Sequence, residues 1–259
     1  MIDQIIDFNI MSPLLGDAYR SATKETLARA RKQGELEESR PIRWCRRIFL
    51  RPAGSKRQGR AVVRGFVIDS ETGALKKYND MKRIIVISTS LRHGSNSDML
   101  ADKFVEGAKA AGNEVEKITL AGKNIQFCKG CLGCHKLGRC VISDDVNDIM
   151  AKVLDADVIC WSTPIYYYEM SGQMKTLIDR MNAMYPLDYK FRDVYLLTTA
   201  AENEAETPKR AETGLTGWID CYPKSRLAGT LFCGGVNDAR EIEGNPKLQE
   251  AFELGKSIG

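Results

Sequence analysis

The sequence predicts an α/β protein: a doubly wound, five-stranded parallel sheet with helices on both faces, preceded by a basic segment over residues 1–80. Three observations predict it. After Met81, short β-branched runs alternate with segments whose apolar residues recur every three to four positions, the pattern of a parallel sheet with crossover helices. The first of these runs leads through a hydroxyl-rich turn into a helix, an order that makes an anion site. Charge changes at the same boundary: residues 1–80 carry 16 Lys and Arg against 10 Asp and Glu, and the remainder carries 22 against 24.

With 259 residues, 43% hydrophobic and 28% charged, the composition is that of an ordinary globular chain with room for one large domain or two smaller ones. The start, M-I-D-Q-I-I-D-F-N-I-M, has acids and no basic n-region, unlike a secretory signal. No apolar run approaches the length of a membrane span. Eight cysteines without an export signal point to reduced thiols or metal ligands in the cytoplasm, not to a disulfide frame. A cytoplasmic protein without a membrane partner is expected.

Within the first segment, Pro13 to Gly34 reads as a helix with a thin stripe of Leu14, Ala18, Ala22, Leu27 and Ala30. From Arg40 to Arg64 there are nine basic residues and no acid. Trp44 and Phe49 within that run raise a nucleic-acid reading, but a solvated arm accounts for it more simply, and no nucleic-acid partner is expected. Ala61 to Ile68 reads as a strand, and Ser70 to Gly73 as a turn before Leu75. The segment is an extension to which the sequence assigns no function.

From Met81 the elements follow in order. Arg83–Ser88 is the first strand, because Ile84 to Ile87 is long enough for a buried strand and too short for a helix. The first helix runs from about Asn96 to Ala111, with Met99, Leu100, Phe104 and Val105 on one side. Glu114–Leu120 is the second strand. A cysteine-rich insert spans 127–141, and Ser143-Asp144-Asp145 starts a helix through Leu154. Asp157–Trp161 is the third strand, followed by T-P-I-Y-Y-Y and a helix from about Ser171 to Ala183. Val194–Thr198 is the fourth strand, followed by the acidic loop A-A-E-N-E-A-E-T-P and a helix from Lys209 to Cys221. Leu227–Cys233 is the last strand and Pro246–Ser257 the last helix. Ligands of such sheets sit beyond the carboxyl ends of the strands. The loops Ser88–Ser97, Thr163–Gly172 and Thr198–Glu206 lie there.

Ser90, Ser95, Asn96 and Ser97 supply short donors beside the free N–H groups of the helix start, and Arg92 adds a charge. One N-cap needs one such residue, so this many favour phosphate binding. No G-x-G-x-x-G follows the first strand and no P-loop motif is present, so a dinucleotide Rossmann site and a P-loop nucleotide site are not expected. In the third-strand loop, Pro164 stiffens a turn and Tyr166, Tyr167 and Tyr168 offer flat faces with polar tips, suited to a planar heteroaromatic ring. Taken alone, a core or interface cluster explains the tyrosines equally well. Beside a phosphate loop of the same sheet, flavin mononucleotide (FMN) becomes the economical ligand.

Cys128, Cys131, Cys134 and Cys140 are spaced C-x₂-C-x₂-C-x₅-C. Three thiolates at every third position can wrap three corners of a cubane and the fourth closes it; Gly130, Gly133 and Gly138 let the backbone turn, and Lys129, Lys136 and Arg139 offset negative charge. Zinc prefers two paired knuckles on separate turns. C-L-G-C-H at Cys131–His135 also matches a haem c attachment pattern, but that needs export and leaves two cysteines unexplained. Free thiols in a loop without a cluster remain the open alternative. His135 reads as a surface residue, Cys160, Cys221 and Cys233 as small buried hydrophobes, Asp179 and Arg180 as a helix-end ion pair, and Lys175 as a surface residue. Cys45 lies in the basic arm.

With these motifs in order, residues 81–259 resemble the flavodoxin-like NADPH-dependent FMN reductase family, and more narrowly its iron–sulfur flavoprotein branch. The matching pieces are S-T-S-L-R-H-G-S-N-S, the cysteine insert ending C-V-I-S-D-D, S-T-P-I-Y-Y-Y, G-Q-M-K-T-L-I-D-R, and the late G-G-V and G-N-P-K-L segments. The resemblance implies strand order 2-1-3-4-5. It implies phosphate contacts at Ser88, Ser90, Arg92, Ser95, Asn96 and Ser97, ring contacts at Pro164, Ile165, Tyr166 and Tyr167, and a far ring edge near Thr198, Thr199 and Ala200. It implies a [4Fe–4S] cluster on Cys128, Cys131, Cys134 and Cys140, and homodimers or homotetramers with the flavin near a subunit interface. The activity implied is NAD(P)H-dependent transfer of electrons through FMN to a flavin, quinone or other small or protein acceptor. The alternative is an electron carrier reduced by ferredoxin without nicotinamide turnover. No catalytic acid–base pair is expected, since the only histidines are His93 and His135.

Overall fold

The computed structural model describes residues 81–259 and three short strands before them, Ala61–Val63 (β1), Phe66–Ile68 (β2) and Leu75–Lys77 (β3). The chain divides into two compact units, Met1–Asp80 and Met81–Gly259. In the first, β1, β2 and β3 form an antiparallel sheet in that order. The single strand expected over Ala61 to Ile68 is therefore two. Val63 pairs with Phe66, and the β-branched composition that suggested one long strand suits two short ones equally. The expected helix at 13–34 and Cys45 lie outside the described residues.

The second unit holds, in chain order, β4 (Arg83–Ser88), α1 (Asn96–Ala110), β5 (Glu114–Thr119), the single-turn helix α2 (Cys134–Leu137), α3 (Val146–Leu154), β6 (Val158–Tyr166), β7 (Glu169–Met170), α4 (Gly172–Arg180), β8 (Asp193–Thr199), α5 (Lys209–Ile219), β9 (Arg226–Cys233) and α6 (Lys247–Lys256). Five strands pair in parallel in the order β5-β4-β6-β8-β9, the expected 2-1-3-4-5 of a flavodoxin-like sheet, and β7 folds back antiparallel on the end of β6. Alternate strand residues face two cores. Ile84, Val86, Cys160 and Leu197 meet Leu100 and Phe104 of α1 and Ala251 of α6. Ile85, Ile87, Trp161 and Leu196 meet Val153 of α3, Leu177 of α4 and Leu215 and Trp218 of α5. Burial on both sides explains why these strands are continuous apolar runs.

Helices α1 and α6 cross with backbones nearly touching. A Cβ at Gly107 would lie 1.9 Å from the Phe252 carbonyl oxygen, and one at Gly255 would lie 2.1 Å from that of Phe104. Two departures from the expected elements matter for the site. β6 extends to Tyr166. Pro164 fits there because β4 pairs with β6 only as far as Ser162, leaving one side of Pro164 without a ladder, while Pro164 registers with Thr199 on the other. Helix α4 ends at Arg180 and tightens into a 3₁₀ turn, Met181–Met184.

Candidate functional site

The loops after β4, β6, β8 and β9 converge at the carboxyl edge of the sheet, because the register aligns Ser88 with Ser162, Thr163 with Thr198, and Thr199 with Cys233. Ser88, Thr89, Ser90, Ser95, Asn96 and Ser97 are all buried. Ser95 caps α1, its hydroxyl accepting from the Asp98 N–H and lying 3.0 Å from the Ser97 hydroxyl. The Ser90 hydroxyl accepts the Arg92 N–H at 3.3 Å. The Ser88 hydroxyl is buried with no hydrogen-bond partner among the described residues. The first N–H groups of α1 have none within the helix, as at any helix start. A buried hydroxyl with no protein partner is open to a ligand.

Thr89, absent from the expected contacts, ties this loop to the next. Its hydroxyl donates to the Ser162 carbonyl and lies 3.1 Å from the hydroxyl of Ser171, the N-cap of α4. The Ser171 N–H donates to Thr163 Oγ1. Between them, Tyr166 pairs with Glu169, so Tyr167 and Tyr168 form a two-residue hairpin turn. Both have positive φ, 52° and 66°, as a type I′ turn requires. Such turns favour Asn-Gly, and two tyrosines there hold the backbone in a costly region. Tyr167 is 97% exposed, while Ile165 is buried. The Tyr168 ring stacks under the Arg210 guanidinium, and its hydrogen bond to the Glu202 carboxylate raises its pKa.

Thr198, Thr199 and Ala200 are buried at the end of β8; the Thr198 hydroxyl donates to the Leu231 carbonyl. The chain after β9 straps the first loop. Asn96 Nδ2 donates to the Asp238 carbonyl, Asn96 Oδ1 accepts the Ile242 N–H, the Arg240 N–H donates to the Gly94 carbonyl, and Arg92 Nη1 donates to the Asn237 carbonyl at 2.7 Å. Both ends of the Asn96 side chain are thus engaged within the protein. Ser88, Ser90, Ser95 and Ser97 are buried hydroxyls at this edge, and Asn96 ties the loop to the strap.

All four expected cysteines line one cavity, with Arg180, Asn182 and Asp179. Cys128 and Cys131 are exposed, Cys134 is half-buried and Cys140 is buried, all as free thiols. Gly130 and Gly138 have φ of 62° and 63°, which suits glycine; Gly138 caps α2. Gly133 has φ of −60° and instead packs close to Val141. Three N–H groups point at sulfur: Gly130 at Cys128, Asn182 at Cys134 and Arg180 at Cys140. Among the described residues no three His, Cys, Asp or Glu side chains converge as ligands of one metal ion do. Corners of a cluster stand further apart than the ligands of one ion, and N–H groups on sulfur suit such a cluster. Lys129, Lys136 and Arg139 make no ion pair among the described residues.

Arg180 corrects the expected helix-end pair with Asp179. Its side chain is 0% exposed and forks onto Asp144, while Asp179 pairs with Lys175 at the surface. Burial pushes the Asp144 carboxyl up, but hydrogen bonds from Arg180 and from the Gln126 and Val146 amides outweigh it and hold it below the usual range. Burial opposes the Arg180 charge, and the bonds to Asp144 and Cys140 outweigh that and raise its pKa. Cys221 is also a correction. It is exposed just beyond α5, whereas Cys160 and Cys233 are buried, and burial pushes both thiols up, Cys160 most.

A model of the NADPH-dependent FMN reductase family matches residues 82–214, more than half of the chain. The chain belongs to this family. An iron–sulfur flavoprotein of Archaeoglobus fulgidus is 36% identical over 101 residues, covering 39% of this chain and 46% of that protein. One from Methanocaldococcus jannaschii is 38% identical over 98 residues, covering 38% of this chain and 51% of that protein. The chain therefore spans about half the length of the curated relatives it matches. An NAD(P)H:quinone oxidoreductase from Methanothermobacter marburgensis superposes with a TM-score of 0.56 at 16% identity, covering 69% of this chain and 96% of that one, a likeness of fold. The family match ends within α5, so the strap after β9 that secures the hydroxyl loop lies outside it. No helix among the described residues is long and apolar enough to cross a membrane.

Proposed function

We propose that this FMN reductase family member is an NAD(P)H-dependent flavin oxidoreductase, passing electrons from a nicotinamide nucleotide to a flavin, quinone or other small acceptor. The observation that carries the reading is the buried, partnerless Ser88 hydroxyl at the end of β4, the strand that leads into the N-terminus of α1. The FMN phosphate takes Ser88, Ser90, Ser95 and Ser97 and the first amides of α1, with the helix dipole and Arg92 offsetting its charge. Asn96 holds the loop against the strap. Pro164, Ile165, Tyr166 and Tyr167 cover the ring, and Thr198, Thr199 and Ala200 line its far edge. Bound FMN would supply the redox chemistry, hydride acceptance and one- or two-electron release. The protein's part is to grip the phosphate, exclude water from one ring face and leave the other open to the nicotinamide. Cys128, Cys131, Cys134 and Cys140 would hold a [4Fe–4S] cluster, which would supply one-electron capacity.

Exposed Tyr166 and Tyr167 suit a second subunit, and a homodimer or homotetramer completes the ring site. The exposure of Cys128 and Cys131 favours a second reading, an electron carrier reduced by ferredoxin. Anaerobic purification, an absorbance spectrum with added FMN, iron and sulfide assays, and steady-state oxidation of NADH and NADPH with a quinone test both. Yellow protein that oxidises either nucleotide supports the enzyme. Flavin uptake with ferredoxin reduction alone supports the carrier. A colourless protein that takes up no FMN refutes both.

A further inference from the structure

Arg180 does more than close a helix. It is the C-terminal residue of α4, fully buried, and every face of its guanidinium is used. Nη1 donates to Asp144 Oδ2 at 2.7 Å and to the Gln126 carbonyl at 2.6 Å, and Nη2 donates to Asp144 Oδ1 at 2.9 Å and to the Ile142 carbonyl at 3.5 Å. Nε, the one nitrogen left, donates to Cys140 Sγ at 3.2 Å. Gln126 and Ile142 bracket the cysteine loop, so one side chain clamps both of its ends and its closing sulfur. A charged donor aimed at a neutral thiol gains little, whereas one aimed at an anionic sulfur makes a strong bond. A surface pair such as Lys175 with Asp179 would serve as a helix-end bridge at less desolvation cost.

We propose that Arg180 is the positioning residue of the sulfur site and sets the reduction potential of the cluster held there. The proposal rests on the reading of Cys128, Cys131, Cys134 and Cys140 as cluster ligands. Cluster potentials follow net charge and hydrogen bonds to the sulfurs. When an oxidised cluster takes up one electron, its negative charge grows, so a fixed cation bonded to a ligand sulfur favours the reduced state. Asp144, on the far side of the guanidinium, opposes it. The two substitutions therefore act with opposite sign.

The test uses the full chain, reconstituted anaerobically with iron and sulfide, and a dithionite titration followed by electron paramagnetic resonance. At the wild-type midpoint, Arg180→Gln is expected to shift the oxidised-to-reduced ratio about tenfold toward oxidised, which is about 59 mV lower for one electron. Asp144→Asn is expected to shift it toward reduced, and Arg180→Lys to lie nearer wild type than Arg180→Gln. If Arg180→Gln does not fold, the Asp144→Asn shift decides. Potentials that stay put, or that move in one direction in both variants, overturn the proposal. Equal loss of iron from all three folded variants overturns it too, because the role would then be purely structural. A wild type that holds no iron or sulfide refutes the cluster reading itself, a separate outcome.

Discussion

Replacing Ser88 by Ala separates a ligand site from a merely polar loop, because the two effects of the change have opposite signs. In the free protein the Ser88 hydroxyl is fully buried and has no partner. Leaving a polar group so placed costs on the order of 1–3 kcal/mol. Removing it is therefore expected to leave the FMN-free protein unchanged or to stabilise it by about 1 kcal/mol. For a domain of this size, that raises the melting temperature by roughly 2–4 °C. With FMN the sign reverses. A hydrogen bond to a charged group is worth about 1.5–3 kcal/mol, which is roughly a 10- to 150-fold loss of affinity. Thermal melts of FMN-free protein and titration by quenching of flavin fluorescence read the two halves. Affinity within twofold of wild type, or an FMN-free protein destabilised by more than about 1 kcal/mol, would refute the assignment of this hydroxyl to the phosphate.

Gly107→Ala drives a methyl group into the Phe252 carbonyl oxygen; a loss of at least about 1–3 kcal/mol is expected in a urea melt, and an unchanged midpoint would mean the α1–α6 contact is looser than described. The double change Tyr167→Asn and Tyr168→Gly suits the left-handed turn. It is expected to gain up to about 1 kcal/mol in the FMN-free protein while weakening FMN binding, so tighter binding in the same titration would remove Tyr167 from the ring site. The Asp144 carboxyl is held below its ordinary value of 3.8. Its contribution to stability is full above that value and is lost as pH falls through the lower folded value. Asp144→Asn should therefore lower stability at neutral pH, by about 3–5 kcal/mol for a broken buried pair. The same variant should also show a shallower fall on acidification, and parallel acid limbs in pH-dependent melts would contradict the pairing.

The parts legible in the sequence were local. Ile84 to Ile87 read directly as a buried strand, and the helix that follows as starting near Asn96. The cysteine spacing brought Cys128, Cys131, Cys134 and Cys140 to one cavity, as expected of residues close in sequence. What stayed hidden depends on distant partners. Asn96 looks like one more donor until its amide is found bridging the Asp238 carbonyl and the Ile242 N–H, more than 140 residues on. Arg180 reads as half of a helix-end ion pair with Asp179 because Asp144, Gln126 and Cys140 belong to another loop. Cys221 looked buried from its apolar neighbours, but the inward stripe of α5 is Ala211, Leu215, Trp218 and Ile219, and Cys221 falls past its end. The turn expected at Pro164 lies instead at Tyr167-Tyr168, because β6 runs on through Pro164 to Tyr166 where only one neighbouring strand is paired.

Helix α4 is capped at Ser171, locked to the hydroxyl loop through Thr89, and ends at Arg180, locked to the sulfur loop. Its nine residues at a rise of 1.5 Å make a strut about 13 Å long. A strut pinned at both tips converts separation into a matter of residue count. Neither loop can wander toward or away from the other without unwinding a turn, so their spacing is written into the chain length itself.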